Sequence, residues 1–200
     1  MRCKTENKRQ EILDIAMQVF CERGFERTSM SEISSRLGGS KATLYNYFES
    51  KEELFFETMR QRVTAELNLA FWSLTLKNKK IDDALYAFGE NFLMFIYSGE
   101  ILTIRRLAIG GDPTMGLGKI VFKNGILKTY SIISEFLKEA MNQNKLRTAD
   151  PLVATKHLLA LLESETLLPF LMHAKTEISK EEIQSITKRA IDVFMKAYGF

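Results

Sequence analysis

Apolar residues recur along this chain every three or four positions, and almost nowhere every two. Between Lys8 and Arg23 they fall at Ile12, Leu13, Ala16, Val19 and Phe20, the stripe of a helix with one buried face. Gly24 follows as a stop, and Phe25 as a hydrophobic contact behind it. Ser29-Met-Ser-Glu32 reads as a capping box opening a short helix with the stripe Met30, Ile33 and Leu37. After Gly38-Gly39, Ser40 caps a third helix that runs to about Tyr47 and turns Leu44 and Phe48 inward. Ser50-Lys-Glu-Glu53, a second capping box, opens a long helix expected to reach Leu76.

The polar run Lys77-Asn-Lys-Lys80 marks a turn. Ile81, Leu85, Phe88, Phe92 and Phe95 then form a stripe that ends at Ser98-Gly99. A short helix carries Ile101 to Ile109, and Gly110, Gly111, Pro113, Gly116 and Gly118 mark an irregular connection. A helix follows over about 124–142. Asp150-Pro151 places proline at the first turn of another, expected to run to about Ala174. Ser179-Lys-Glu-Glu182 caps the last helix, which ends at Gly199. The pattern predicts an all-α protein: an N-terminal three-helix unit over 1–52, joined by a long helix to a larger helical domain over 53–200.

Composition narrows the class without naming it. With 46% hydrophobic and 26% charged residues among 200, the chain has enough apolar material for a core. Three prolines and eleven glycines are too few turn residues for a β-sandwich. The net charge is 28 − 25 = +3, so any nucleic-acid binding must come from a local patch. Cys3 and Cys21 form no Cys-x-x-Cys pair; Cys21 is expected in the core. No apolar run reaches the roughly 18 residues of a membrane span. The opening MRCKTENKRQEIL lacks the apolar core of a signal peptide. A cytoplasmic protein is expected.

Enzymatic signatures are missing. His157 and His173 lie sixteen residues apart, too far along one helix to share a metal. His157 is expected at a surface or interface. The glycines after Ile109 have no phosphate-loop spacing. Glu163 and Glu165, two apart, face different directions on a helix. No catalytic residue, metal or cofactor is expected.

Three short helices with a tight turn between the second and third outline a helix-turn-helix, whose second member enters the major groove of DNA. Leu44 and Phe48 take the inner side. That leaves Lys41, Ala42, Thr43, Tyr45 and Tyr47 for DNA, with no carboxylate between Glu32 and Glu49 to repel phosphates. Ser40 and Lys51 stand at helix N-termini, where backbone N–H groups favour anions. The competing reading is a helical small-molecule-binding module whose polar face is merely solvated.

The residue strings separate these readings. RQEILDIAMQVFCERGFERTSMSEIS and LGGSKATLYNYFESKEELF, within 9–55, strongly resemble the DNA-binding region of the TetR family of transcriptional regulators. The resemblance implies a ligand-responsive regulator, most often a repressor, that binds a palindromic double-stranded operator as a homodimer. It places Lys41, Ala42 and Tyr45 nearest the base edges. Thr43, Tyr47 and Lys51 resemble phosphate clamps, with Ser29 and Ser31 adding contacts. Gly39 departs from the pattern, where a small apolar residue is usual. It implies a softer turn and leaves the register of the third helix open.

LRTADPLVATKHLLALLESETLLPFL and the capped final helix look like one subgroup of regulatory domains in this family. There the last two helices build a four-helix bundle with a second subunit. Leucines on several faces of the 151–174 segment agree with burial beyond one neighbour, and Leu161 and Leu168 are interface candidates. Family resemblance also implies an effector pocket within about 55–175 for a largely apolar small molecule. Candidate linings are Phe71, Trp72, Phe88, Asn91, Phe92, Phe95, Arg105 and Arg106, the aromatics serving equally as plain core. A buried arginine needs a partner, so Arg105 or Arg106 is expected to pair with Glu163 or Glu165, or to meet an anionic ligand.

Overall fold

The computed structural model describes residues 2–74, 80–111, 114 and 116–200; the side chains of 2–5, 21, 61–70 and 100 are outside the described set. The described residues are helical and contain no strand. In chain order the helices are α1 (Arg2–Arg23), α2 (Met30–Arg36), α3 (Lys41–Tyr45), α4 (Lys51–Trp72), α5 (Ile81–Ile96), α6 (Gly99–Gly110), α7 (Leu117–Val121), α8 (Leu127–Asn142), α9 (Pro151–Glu163), α10 (Leu167–Leu171) and α11 (Lys180–Tyr198). A π-helical turn, Phe122–Ile126, joins α7 to α8. Helix therefore resumes at Leu117, earlier than the pattern near residue 124 suggests. The expected end of α4 at Leu76 and the turn over 77–80 fall largely on residues outside the description, as does the Cys21 side chain.

The chain forms two compact units, Met1–Arg62 with Leu107–Val121, and Val63–Arg106 with Phe122–Phe200. The division of the first part of the chain falls inside α4. The reason lies in the first turns of α4: Leu54, Phe55, Phe56 and Met59 are buried there. Phe55 packs edge-on against Phe20, with centroids 5.0 Å apart, and lies 4.8 Å from Phe25. The start of α4 is the floor of the first core.

Within that unit, Ile12, Leu13, Ala16, Ile33, Leu44 and Phe48 are essentially inaccessible. Gly24 ends α1 at φ +75° and Gly38 ends α2 at φ +67°, left-handed positions that glycine occupies without strain. Gly39, beside it, has ordinary φ. A Cβ there would meet nothing closer than Leu37 Cδ2 at 3.8 Å.

In the second unit α5, α8, α9 and α11 pack together, α8 on α9 and α11 on both α5 and α9. Their core includes Leu85, Phe88, Leu93, Leu137, Leu158, Leu162, Phe170 and Phe194. Gly89 lets α5 approach closely: a Cβ there would lie 2.6 Å from Thr187 Cγ2 and 2.9 Å from Leu162 Cδ2. Ser134 and Thr155 hydroxyls join α8 to α9 at 3.0 Å.

The single helix expected over 151–174 is two. Asp150 Oδ1 caps its start, accepting from the Leu152 and Val153 amides, but α9 stops at Glu163 and α10 begins at Leu167. Pro169 explains the break, since its ring clashes with the carbonyl four residues earlier and it has no N–H to donate. At Ser29 and Ser179 the capping boxes are only half formed, and at Ser50 the glutamate closes on the residue before the cap. Ser29 and Ser179 accept from the amides of Glu32 and Glu182. Those glutamates turn instead to Arg23 and to Lys175. At α4 Ser50 accepts from the Glu53 amide, and Glu53 reaches back to the Glu49 N–H at 2.7 Å.

Candidate functional site

α3 is short, and its inner side is fixed by burial of Leu44 at 0% and Phe48 at 1% exposure. Ser40 caps it, Oγ accepting from the Thr43 amide at 3.1 Å. This seats the helix in the register that the Gly39 departure left open. Lys41, Ala42, Tyr45 and Asn46 are exposed, and Thr43 and Tyr47 half-buried. Ala42, Tyr45 and Asn46 are spaced by three and four, so they share one outward face. The Lys41 ammonium lies 5.9 Å from the Tyr45 ring centroid. Asn46, absent from the candidates above, belongs to this face; its place four after Ala42 was the available signal.

Several hydroxyls expected to meet phosphate also have structural partners. Thr43 Oγ1 and Ser40 Oγ are 2.9 Å apart, and Ser29 Oγ caps α2. Ser31 is exposed. Lys51 is half-buried and donates from Nζ to the Phe25 carbonyl at 3.0 Å, its ammonium 4.2 Å from the Phe25 ring centroid. It thus ties α4 to the turn after α1, a role the sequence alone did not suggest.

Three acidic residues of this unit, Glu22, Glu32 and Glu57, are held by arginines. Glu22 and Glu32 face Arg36 at 2.6 and 3.8 Å, and Arg23 meets Glu32 at 2.7 Å. Glu57 accepts from Arg9 and Arg60. Burial pushes the Glu57 carboxyl up, but hydrogen bonds from Arg60 and Arg9 outweigh it and hold it below the usual carboxylate range. Pairing of this kind leaves the α3 face to Lys41 and neutral side chains.

The pocket candidates of the second unit divide three ways. Phe88 and Phe92 are core, stacked with centroids 5.4 Å apart, and Phe71 stacks on Phe88 at 6.5 Å. Phe95 is half-buried, Asn91 donates to Ser73 Oγ at 2.8 Å, and Trp72 is 81% exposed. Both arginines find partners. Arg105 pairs with Glu163, as one of the expected alternatives had it, while Arg106 donates to the Phe170 carbonyl, from Nε at 3.1 Å. Glu165 pairs instead with Arg189 at 2.7 Å.

Beside the Arg105–Glu163 pair lie Tyr97 and Thr166, which sequence reasoning missed. Burial raises the Tyr97 phenol above its ordinary pKa, partly opposed by the neighbouring Thr166 hydroxyl. His157, expected at a surface or interface, is exposed in the single chain, its Nδ1 2.6 Å from the Tyr198 hydroxyl. Of the interface candidates, Leu168 is 66% exposed and Leu161 half-buried. Leu152, Val153 and Val193 are also exposed on α9 and α11. Among the described residues no group of three or more His, Cys, Asp or Glu side chains could hold a metal. No helix among them is long and apolar enough to cross a membrane.

A capped three-helix unit with a cationic, carboxylate-free third helix, followed by an α-helical core, defines the helix-turn-helix regulators. Residues 12–58 match the family of bacterial regulatory proteins of the tetR type, and residues 83–200 match the AefR-like transcriptional repressor C-terminal domain. The chain belongs to the TetR family. A putative TetR-family regulator from Mesorhizobium loti superposes with TM-score 0.82 at 25% identity, covering 98% of each chain. The flavonoid-responsive regulator FrrA superposes with TM-score 0.74 at 27% identity, over 97% of this chain and 98% of its own. By sequence, the regulator AcrR of Shigella flexneri is 29% identical over 104 residues, 52% of this chain and 47% of its own. The activator FasR of Mycolicibacterium smegmatis is 37% identical over 62 residues, 31% of this chain. The chain spans 28% of FasR and about half of AcrR.

Proposed function

We propose that this protein is a homodimeric repressor that binds a palindromic operator through α3 and is released by a small, largely apolar effector. The observation that carries the reading is the outward face of α3: Lys41, Ala42 and Tyr45 exposed over a fully buried Leu44. A solvated bundle has no need to gather these residues beside paired carboxylates, and the module without DNA binding gains no support from any observed group. Exposed apolar residues on α9, α10 and α11, Leu152, Val153, Leu168 and Val193, fit burial against a second copy. Likeness to a regulator described as flavonoid-responsive supports a small-molecule effector.

Lys41, Ala42 and Tyr45 read bases in this scheme, and Thr43, Tyr47, Lys51, Ser29, Ser31 and Ser40 position the backbone. The test is fluorescence anisotropy on DNA from upstream of the protein's own gene, against random duplex. Lys41→Ala is expected to lose about 1–3 kcal/mol on the cognate site only. Equal loss on both duplexes removes Lys41 from base reading.

A further inference from the structure

Where α9 breaks, four polar side chains from three helices and the α9–α10 link meet in the core. Tyr97 caps the end of α5, Arg105 lies in α6, Glu163 ends α9 and Thr166 immediately precedes α10. Tyr97 is 8% and Thr166 1% exposed. The Arg105 guanidinium lies 5.6 Å from the Tyr97 ring centroid, and the Phe170 ring packs 4.3 Å from the same ring. Arg105 and Glu163 satisfy each other through Nη2 and Oε2. Tyr97 Oη, Thr166 Oγ1 and Arg105 Nη1 are buried and none makes a well-formed hydrogen bond to any described atom, although Thr166 and Arg105 lie near enough to the phenol to draw its pKa down against burial. Thr166 stands at the N-cap position of α10, yet its hydroxyl makes no cap hydrogen bond.

Three unsatisfied polar atoms in one place are costly, since each forfeits its hydration without return. A core built only to be stable would carry phenylalanine and valine at 97 and 166. The unmet capacity is specific: one guanidinium NH2 to donate, and two hydroxyls able to donate or accept. The charge is already balanced, because Glu163 neutralises Arg105. A carboxylate ligand would bring a second negative charge beside Glu163, and the nearest other guanidinium, that of Arg106, is engaged on the Phe170 carbonyl. A neutral oxygen on an apolar frame meets all three atoms at no such cost.

We infer that Tyr97, Thr166 and Arg105 form the polar end of the effector site, and that the effector is an uncharged apolar molecule presenting a phenolic, alcoholic or carbonyl oxygen. This inference rests on the effector-responsive reading above. Glu163 is the positioning residue, fixing Arg105 so that Nη1 faces the site. The hydrocarbon part of the ligand lies against the core that Phe170 and Leu102 share with Tyr97.

The test is calorimetric titration of the full chain with para-butylphenol, butylbenzene and para-butylbenzoate. The phenol is expected to bind about tenfold tighter than the hydrocarbon, the worth of one net hydrogen bond, and tighter than the carboxylate. Thr166→Val and Tyr97→Phe are each expected to reduce that preference to about twofold, while butylbenzene affinity stays unchanged. Thermal melts of both variants, expected at or above wild type, exclude simple misfolding. If one variant does not fold, the other carries the test. A preference that survives in a folded variant, tightest binding of the benzoate, or binding of none of the three overturns the inference. Anisotropy of the unliganded protein on upstream DNA reports separately on the regulator reading, which stands if DNA binds and the ligand prediction fails.

Discussion

Lys51 and Phe25 are joined twice, by a hydrogen bond from the lysine ammonium to the phenylalanine carbonyl at 3.0 Å and by the same ammonium 4.2 Å from the ring centroid. The link spans the turn after α1 and the first residue of α4, so a residue that resembles a phosphate clamp is also part of the scaffold. Lys51→Ala is therefore expected to lower stability by about 1 kcal/mol and to weaken specific and random DNA binding alike. The slope of log affinity against log salt should fall by about one per lost phosphate contact, roughly two for a dimer. A stability loss with an unchanged slope would confine Lys51 to the turn.

Gly39, unlike Gly38, has ordinary φ, and a Cβ there would make only ordinary van der Waals contact with Leu37. Gly39→Ala should stabilise the protein by about 0.4–1 kcal/mol, by restricting the unfolded chain, with operator affinity unchanged. Denaturant unfolding measures the first and anisotropy the second. A destabilised variant would show that the turn before α3 needs its freedom.

Leu168 is 66% exposed in the single chain. Sedimentation of the wild type at micromolar concentration should give twice the 23.0 kDa chain mass. Leu168→Glu should shift it towards the monomer, because an unpaired charge buried in an apolar interface costs several kcal/mol. Operator affinity should fall with it, as two half-sites are no longer bound as one unit. A variant that remains dimeric removes Leu168 from the interface.

Glu57 holds Arg9 and Arg60, and its carboxyl titrates below the usual range. A depressed folded pKa contributes stability above the unfolded value, about 4.3, which is lost as pH falls through the lower folded value. Glu57→Gln should lower Tm at neutral pH and make the acid limb of Tm against pH shallower. Parallel acid limbs in the two proteins would assign the acid sensitivity to other carboxylates.

Much of this was legible in residue spacing. The stripes that end at Gly24 and Gly38, the Ser40 cap, and the inward Leu44 and Phe48 all follow from local rules, and the structure keeps them. The second unit was harder to read because its decisive features are not periodic. Leucine spacing over 151–174 continues smoothly through the break, and only Pro169 signals it. Tyr97 and Thr166 lie 69 positions apart and acquire meaning from packing alone. Glu32 and Glu182 illustrate the same limit: each fits a capping box by sequence, yet a cation brought near by folding draws its carboxylate elsewhere.

Arg105 and Arg106, neighbours on α6, grip the two sides of the α9–α10 break, one at Glu163 and the other at the Phe170 carbonyl. Successive residues on a helix point about 100° apart, so the two grips act on α6 from different directions. Opening or closing the angle between α9 and α10 must then stretch one of these bonds or rotate α6 about its own axis. α6 is in effect a crank whose handle is the broken helix.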